Sequence, residues 1–254
     1  MPEHTTFLTY LLAKFPALRE NADNIGYSFI GHHEPSYRSF EAVITSLLIV
    51  VLVTLLALRA KRTVTDLDRA VIPDDKLTLR TFMEAFIAFF YGMARDVMGP
   101  KRAKRYFPII GGSACFIFFA NLTALIPGLA PPTSNLNITL GCALTVFLLF
   151  NYYGLQANGF GYVKHLAGPK WYLAPLIFPI ELISTCVRPV TLSIRLMVNM
   201  AVDHLLGTIA IGMVALLVPV PLMFLGAIVI VVQTLVFSLL TSIYIGLATE
   251  HEEH

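Results

Sequence analysis

PIELISTCVRPVTLSIRLMVNMAVDHLLGTIAIGMVALL, residues 179–217, stays largely apolar for 39 residues yet carries Glu181, Arg188, Arg195 and Asp203. A helix of that length reaches ~58 Å, about twice the ~30 Å of a hydrocarbon core. It must tilt strongly, bend or break, and Pro189 offers one bending point because it removes a backbone donor. The surrounding chain has the same character: 56% of its 254 residues are hydrophobic and 13% charged, against roughly 25% charged in an ordinary soluble domain. That composition belongs to a membrane protein.

Working outward, a second long apolar segment follows the Val-Pro-Val-Pro break at 218–221 and runs from Leu222 to Ala248, ahead of the charged tail TEHEEH. Upstream, Phe40–Leu58 has the length of a first transmembrane helix. Residues 59–107 then hold 11 of the 18 Lys and Arg residues, so the positive-inside rule sets this stretch in the cytoplasm and the N-terminus outside. Within it Phe82, Phe86, Phe89, Phe90, Met93 and Val97 recur at helical spacing, interrupted by Glu84, Arg95 and Asp96, the pattern of an amphipathic helix on the membrane surface. Two apolar runs, 108–126 and 138–155, form a hairpin with its charge-free turn GLAPPTSNLN outside. Lys164 and Lys170 return the chain to the inner face.

The fold expected is an all-α integral membrane protein with five to six membrane helices, counting one surface amphipathic helix and a pair of long, strongly tilted C-terminal helices. Its parts are an outer N-terminal arm (1–38), a first span (39–58), a cytoplasmic basic segment (59–107) and a channel domain (108–254). That domain comprises the hairpin 108–155 and tilted helices at about 173–217 and 221–248. The N-terminal stretch lacks the pattern of a cleaved signal peptide, so the first span is expected to insert and stay. Cys115, Cys142 and Cys186 lie in apolar runs without metal-ligand spacing and read as small buried hydrophobes. No metal or cofactor is expected.

Between Val97 and Thr249 the only acids are Glu181 and Asp203, and beyond Arg105 the only Lys or Arg residues are Lys164, Lys170, Arg188 and Arg195. At 100° per residue from Arg195, Glu181 falls near about +40°, Ser184 −20°, Arg188 +20°, Thr191 −40°, Asn199 +40° and Asp203 +80°. One face thus carries a polar stripe ~33 Å long, close to the thickness of the hydrocarbon core. An arginine in hydrocarbon costs at least ~2.5–3.5 kcal/mol and cannot escape by losing its proton. No acid lies one turn from Arg195, so its countercharge is expected on another chain. The plain alternative is an arginine snorkelling to lipid phosphate or pinning two helices. For Arg188, beside Pro189, the structural reading is favoured. His204 points about 180° from Arg195, either as a proton relay or as a packing histidine. On the last segment Gln233, Thr241 and Tyr244 share a face that suits a polar partner helix.

RPVTLSIRLMVNMAVDHLLG at 188–207 and QTLVFSLLTSIYIGLATEHEEH at 233–254 resemble the a subunit of F-type ATP synthases. The resemblance extends to ANLTALIPG at 120–128 and NLNITLGCALTVF at 135–147. It implies that Arg195 is the family's essential arginine facing a ring of c subunits, with Gln233 close to it. It further implies two offset aqueous half-channels, joined only by a proton riding a ring carboxylate. Asp203, His204, Asn121 and Tyr244 are then assigned to the inlet, Glu181, Ser184 and Arg188 to the outlet, and Asn199 and Thr191 to the track beside Arg195. The chain departs from relatives at Ala124, where several have an acid, at Asp203-His204, where Gly-Glu or Gly-His is common, and at Gly226, where some have histidine. This pattern reads as relocation of the titratable groups.

The partners implied are the c-ring, peripheral-stalk subunit b, the rest of the F0F1 complex and membrane lipid, with no nucleic acid. The location implied is the inner membrane of a bacterium, with the C-terminus cytoplasmic. ATP chemistry must lie on those partners, because the chain has no G-x-x-x-x-G-K-[ST] loop. Two other readings compete. An independent ion-coupled secondary transporter would be expected to show internal repeats; a structural anchor would have no use for a membrane-long polar stripe.

Overall fold

A computed structural model describes residues 36–63, 78–126, 129, 131–159, 174–213 and 219–249. The N-terminal arm up to residue 35, Arg69, Lys76, Lys164, Lys170 and the tail after Thr249 lie outside the described residues, as does the side chain of His204. Within the described residues six α-helices follow one another: α1 (Ser36–Thr63), α2 (Leu79–Met98), α3 (Pro100–Leu122), α4 (Leu136–Asn158), α5 (Ala174–Met213) and α6 (Pro219–Ala248). Two short 3-10 turns, Thr123–Leu125 and Pro132–Ser134, lie between α3 and α4. Among the described residues there is no strand. Five helices among the described residues, all except α2, are long and apolar enough to cross a membrane.

Local chemistry sets the helix ends. The Thr78 hydroxyl accepts from the Thr81 amide at 3.4 Å to begin α2. At its other end Gly99, at φ +80°, donates its amide to the Arg95 carbonyl at 2.9 Å. That left-handed backbone favours glycine, and Pro100 then starts α3 where its missing donor goes unneeded. Lys101, Arg102, Lys104 and Arg105 thus lie in the first turns of α3, which starts about two turns ahead of the apolar run at 108. Asn135 caps α4 by accepting from the Asn137 amide at 2.9 Å.

α5 is continuous over 40 residues although Pro179 and Pro189 stand inside it. Its apolar part, Ile177–Gly207, has 31 residues and that of α6, Pro221–Ala248, has 28. At 1.5 Å per residue neither fits upright in a ~30 Å core, so both must run obliquely.

α6 threads the middle of the bundle. At one end Ile245 and Ala248 pack with Ala94 and Met98 of α2, Ala103, Tyr106 and Ile110 of α3 and Phe150 of α4. Farther along, Phe237 packs with Ile117 of α3, Ala143 and Val146 of α4, and Leu192 and Leu196 of α5. α2 folds back along α3, where Tyr91 meets Phe107 at 5.2 Å and Phe86 meets Phe118 at 5.2 Å between ring centroids. Its buried stripe is Met83, Phe90, Ala94 and Met98, whereas Phe82, Phe89 and Val97 face outward. The aromatic periodicity of the sequence therefore marks two apolar sides of α2, and the smaller Ala94 lets it approach α3 and α6.

Candidate functional site

The packing of α5 decides where its polar stripe lies. Measured from Arg195, the buried Leu192, Thr185, Leu196, Met200 and Ser193 fall between about +60° and +160°, and the exposed Val198, Val187 and Ile194 between about −60° and −100°. Arg188, Glu181 and Asn199 occupy the interval between Arg195 and the packed face, and Asp203, near about +80°, falls at the edge of that face. The stripe therefore runs along the margin where α5 meets α6, with Arg195 on the exposed side of it.

Two contacts bridge that margin. Asn199 Nδ2 donates to Gln233 Oε1 at 2.8 Å. The Arg188 guanidinium sits over the Tyr244 ring, 5.3 Å from its centroid. Each pair lies eleven residues from the other on both helices, so α5 and α6 run antiparallel. Eleven residues are close to three full turns, which keeps both contacts on one face of each helix, ~16 Å apart. Arg195 lies between them.

The sequence placed Tyr244 with Asp203 and His204, but the structure brings it to Arg188, at the opposite end of the stripe. Glu181 stands at that end too, with Oε1 3.6 Å from the Arg188 guanidinium. Ser184 is exposed nearby on the same helix. Thr191 is exposed and its hydroxyl donates back to the Arg188 carbonyl at 2.9 Å. Asp203 is half-buried, and its Oδ2 is enclosed without a partner among the described residues. Continuing the seam register four residues past Asn199 brings Asp203 opposite Val229, one turn from Gly226, and Gly226 lies against Leu125 of the first 3-10 turn.

Asn121, at the end of α3, is fully buried and accepts a hydrogen bond from the Thr133 hydroxyl at 2.7 Å, while its Nδ2 has no partner among the described residues. Gln233 is likewise buried, with Nε2 unpartnered among them. Arg195 forms no ion pair with any described residue. Among those residues no three His, Cys, Asp or Glu side chains gather as metal ligands.

Two features escaped the sequence reading. Thr133 holds the Asn121 amide from a turn twelve residues away, which no helical periodicity reveals. Thr234, Ser238, Thr241 and Ser242 form a buried hydroxyl ladder on α6, each donating to the carbonyl four residues back at 2.8–2.9 Å. The four-residue spacing of Thr234, Ser238 and Ser242 was visible, and small buried hydroxyls turned onto their own helix suit close helix packing. Thr241, read as part of a polar face, belongs to this ladder.

At the far end of the bundle Arg102 donates to the Gly246 carbonyl at 3.3 Å and Asn158 to the Ala248 carbonyl at 3.2 Å. The start of α3 and the ends of α4 and α6 thereby share one end, the one that carries Lys101, Lys104 and Arg105.

The family model described as ATP synthase A chain matches residues 42–246. An ATP synthase subunit a from Sorangium cellulosum (strain So ce56) is 71% identical over 254 residues, covering the whole of both chains. One from Geobacter sulfurreducens is 38% identical over 239 residues, 94% of this chain and 93% of that one. Another, from a Sulfurihydrogenibium species, is 42% identical over 176 residues, 69% of this chain and 84% of the relative.

Proposed function

Because the chain belongs to the ATP synthase A chain family, the non-catalytic multi-pass membrane subunits of the F0 sector, we propose that Arg195 is the fixed charge that couples proton passage to movement of a c-subunit ring. The observation that carries this is the state of Glu181, Arg188 and Arg195 on α5. Glu181 and Arg188 pair with each other, whereas Arg195 is exposed on the flank of the seam with no carboxylate beside it among the described residues. A guanidinium in hydrocarbon requires an anion or water. A ring carboxylate sweeping past would supply the anion, and Arg195 would electrostatically favour release of its proton.

On this reading a proton arrives from outside along Asp203, His204 and Asn121, where the enclosed Asn121 Nδ2 and Asp203 Oδ2, without partners among the described residues, offer hydrogen-bonding capacity to water. It neutralises a ring carboxylate, travels with the ring, and leaves past Ser184 and Glu181. Asn199 and Gln233 line the track, and Thr191 borders it. Arg195 separates the two half-channels, since a fixed cation repels a proton that tries to cross directly. The basic end of the bundle is assigned to the cytoplasm by the positive-inside rule. The C-terminus falls on that side because Arg102 and Asn158 tie α6 to it. The location is then the inner membrane of a bacterium, with the c-ring, subunit b and lipid as neighbours; α2, expected on the membrane surface, instead lies along α3 as far as Phe118. Family membership assigns the chain to a complex rather than to a free-standing secondary transporter.

The test is Arg195→Ala in membranes, with assembly, ATP synthesis and ATP-driven proton pumping measured together. Assembly with loss of both activities is expected; normal coupled transport by the assembled complex would sink the proposal.

A further inference from the structure

Arg188 pairs with Glu181 at the exit of the path just described without itself carrying the proton, and three features converge on it. Its guanidinium lies 5.3 Å from the Tyr244 ring centroid and 3.6 Å from the Glu181 carboxylate. The Tyr244 ring is itself set against Phe150 of α4, 5.9 Å between centroids, at the edge of the buried cluster that joins four helices. The next residue, Pro189, cannot donate to the carbonyl of Thr185, so α5 is locally weakened at this point. The carbonyls just beyond are claimed by side chains, Arg188 by Thr191 and Val190 by Ser193, each at 2.9 Å.

We propose that Arg188 is a positioning residue: clamped on the Tyr244 ring and neutralised by Glu181, it fixes the register of α5 against α6 on one side of Arg195, as Asn199 and Gln233 do on the other. This rests on the reading of Arg195 as the charge that meets the ring. Two pins three turns apart, with the proline beside one of them, hold the intervening segment where a single pin would let it pivot at Pro189. Cation–π attraction suits this role, because it needs the ring face and a cation but no ionisable partner on α6. The balancing carboxylate sits on α5 itself, so the cation does not require a charge from the neighbouring helix.

The experiment uses the whole complex in inverted membrane vesicles and reads protons pumped per ATP hydrolysed, with assembly followed by the amount of the subunit in the purified complex. Arg188→Gln and Tyr244→Leu are each expected to lower pumping about threefold. The double variant should lose about the same threefold, because both changes remove one shared contact. Tyr244→Phe keeps the ring and Arg188→Lys keeps a cation, so both should retain most of the pumping. Losses that multiply in the double variant, or single variants that pump like the parent, would overturn the clamp. So would a Tyr244→Phe variant as damaged as Tyr244→Leu.

If Tyr244→Leu does not assemble, Tyr244→Phe still decides: near-parental pumping supports the ring contact and a threefold loss overturns it. Arg195→Ala run alongside separates the two claims. If it abolishes pumping while the clamp variants behave as the parent, only the clamp fails; if it pumps normally in an assembled complex, the reading beneath the clamp fails.

Discussion

Asn199 and Gln233 meet through one part-buried hydrogen bond at 2.8 Å, which makes their energetic coupling measurable. Hydrogen bonds between helices in a bilayer average about 0.6 kcal/mol and reach about 1.7, because the separated helices also find partners. A double-mutant cycle with Asn199→Leu and Gln233→Leu, followed by denaturant unfolding in micelles, should therefore return about 0.6 kcal/mol. A coupling near zero would mean that the two side chains do not meet in the folded protein. Asp203 makes a different prediction. As a half-buried carboxylate with an enclosed, unpartnered oxygen, its proposed use is to titrate, which the isosteric amide cannot do. Asp203→Asn should then lower proton-driven ATP synthesis about tenfold or more while the complex still assembles; unchanged synthesis would remove Asp203 from the inlet. At this scale the sequence was informative about which residues are polar in an apolar setting. It said less about their partners, since the resemblance grouped Tyr244 with Asp203 and the fold sets it against Arg188.

α6 shows how an element acquires a role from its neighbours. Its hydroxyls at 234, 238, 241 and 242 satisfy themselves on carbonyls of their own helix and stay small. On α3, Ala103 and Ala114 are fully buried and, eleven residues apart, share one helical face, which suits a close approach of the two helices. Ser238 is fully buried, and Ser238→Leu is expected to overpack this seam and destabilise the subunit by about 1–3 kcal/mol. Ser238→Ala should be nearly neutral. The check is thermal stability of the purified complex, and a tolerated leucine would show that the seam is looser than described. The sequence reading began this helix with the apolar run at 108, but α3 starts at Pro100, because Gly99 stops α2 and Pro100 is tolerated in a first turn, so the basic residues join the helix. The buried side of α2 was not legible either, since apolar residues cover two of its sides and the choice between them depends on what α3 and α6 present.

The whole molecule lacks the partner on which its central residue is proposed to act. The isolated chain reconstituted in liposomes should hydrolyse no ATP and conduct protons no faster than empty vesicles, whereas addition of the c-ring should be required for passage; rapid proton flux through the chain alone would contradict that division of labour. Composition and apolar run length by themselves determined that the chain is an all-helical membrane protein, because a ~30 Å apolar layer admits few ways of satisfying the backbone. Periodicity likewise determined that the charges of α5 share one face, since helical geometry alone sets that angle. Only the tertiary structure decided that this face is the margin of the α5–α6 seam, that the seam is held at Asn199–Gln233 and Arg188–Tyr244, and that Arg195 stays unpaired between them among the described residues. The physical reason is that a side chain's partners are fixed by which helices lie beside its own and in what register, and that depends on long-range packing of small and large residues which no local pattern along the chain contains.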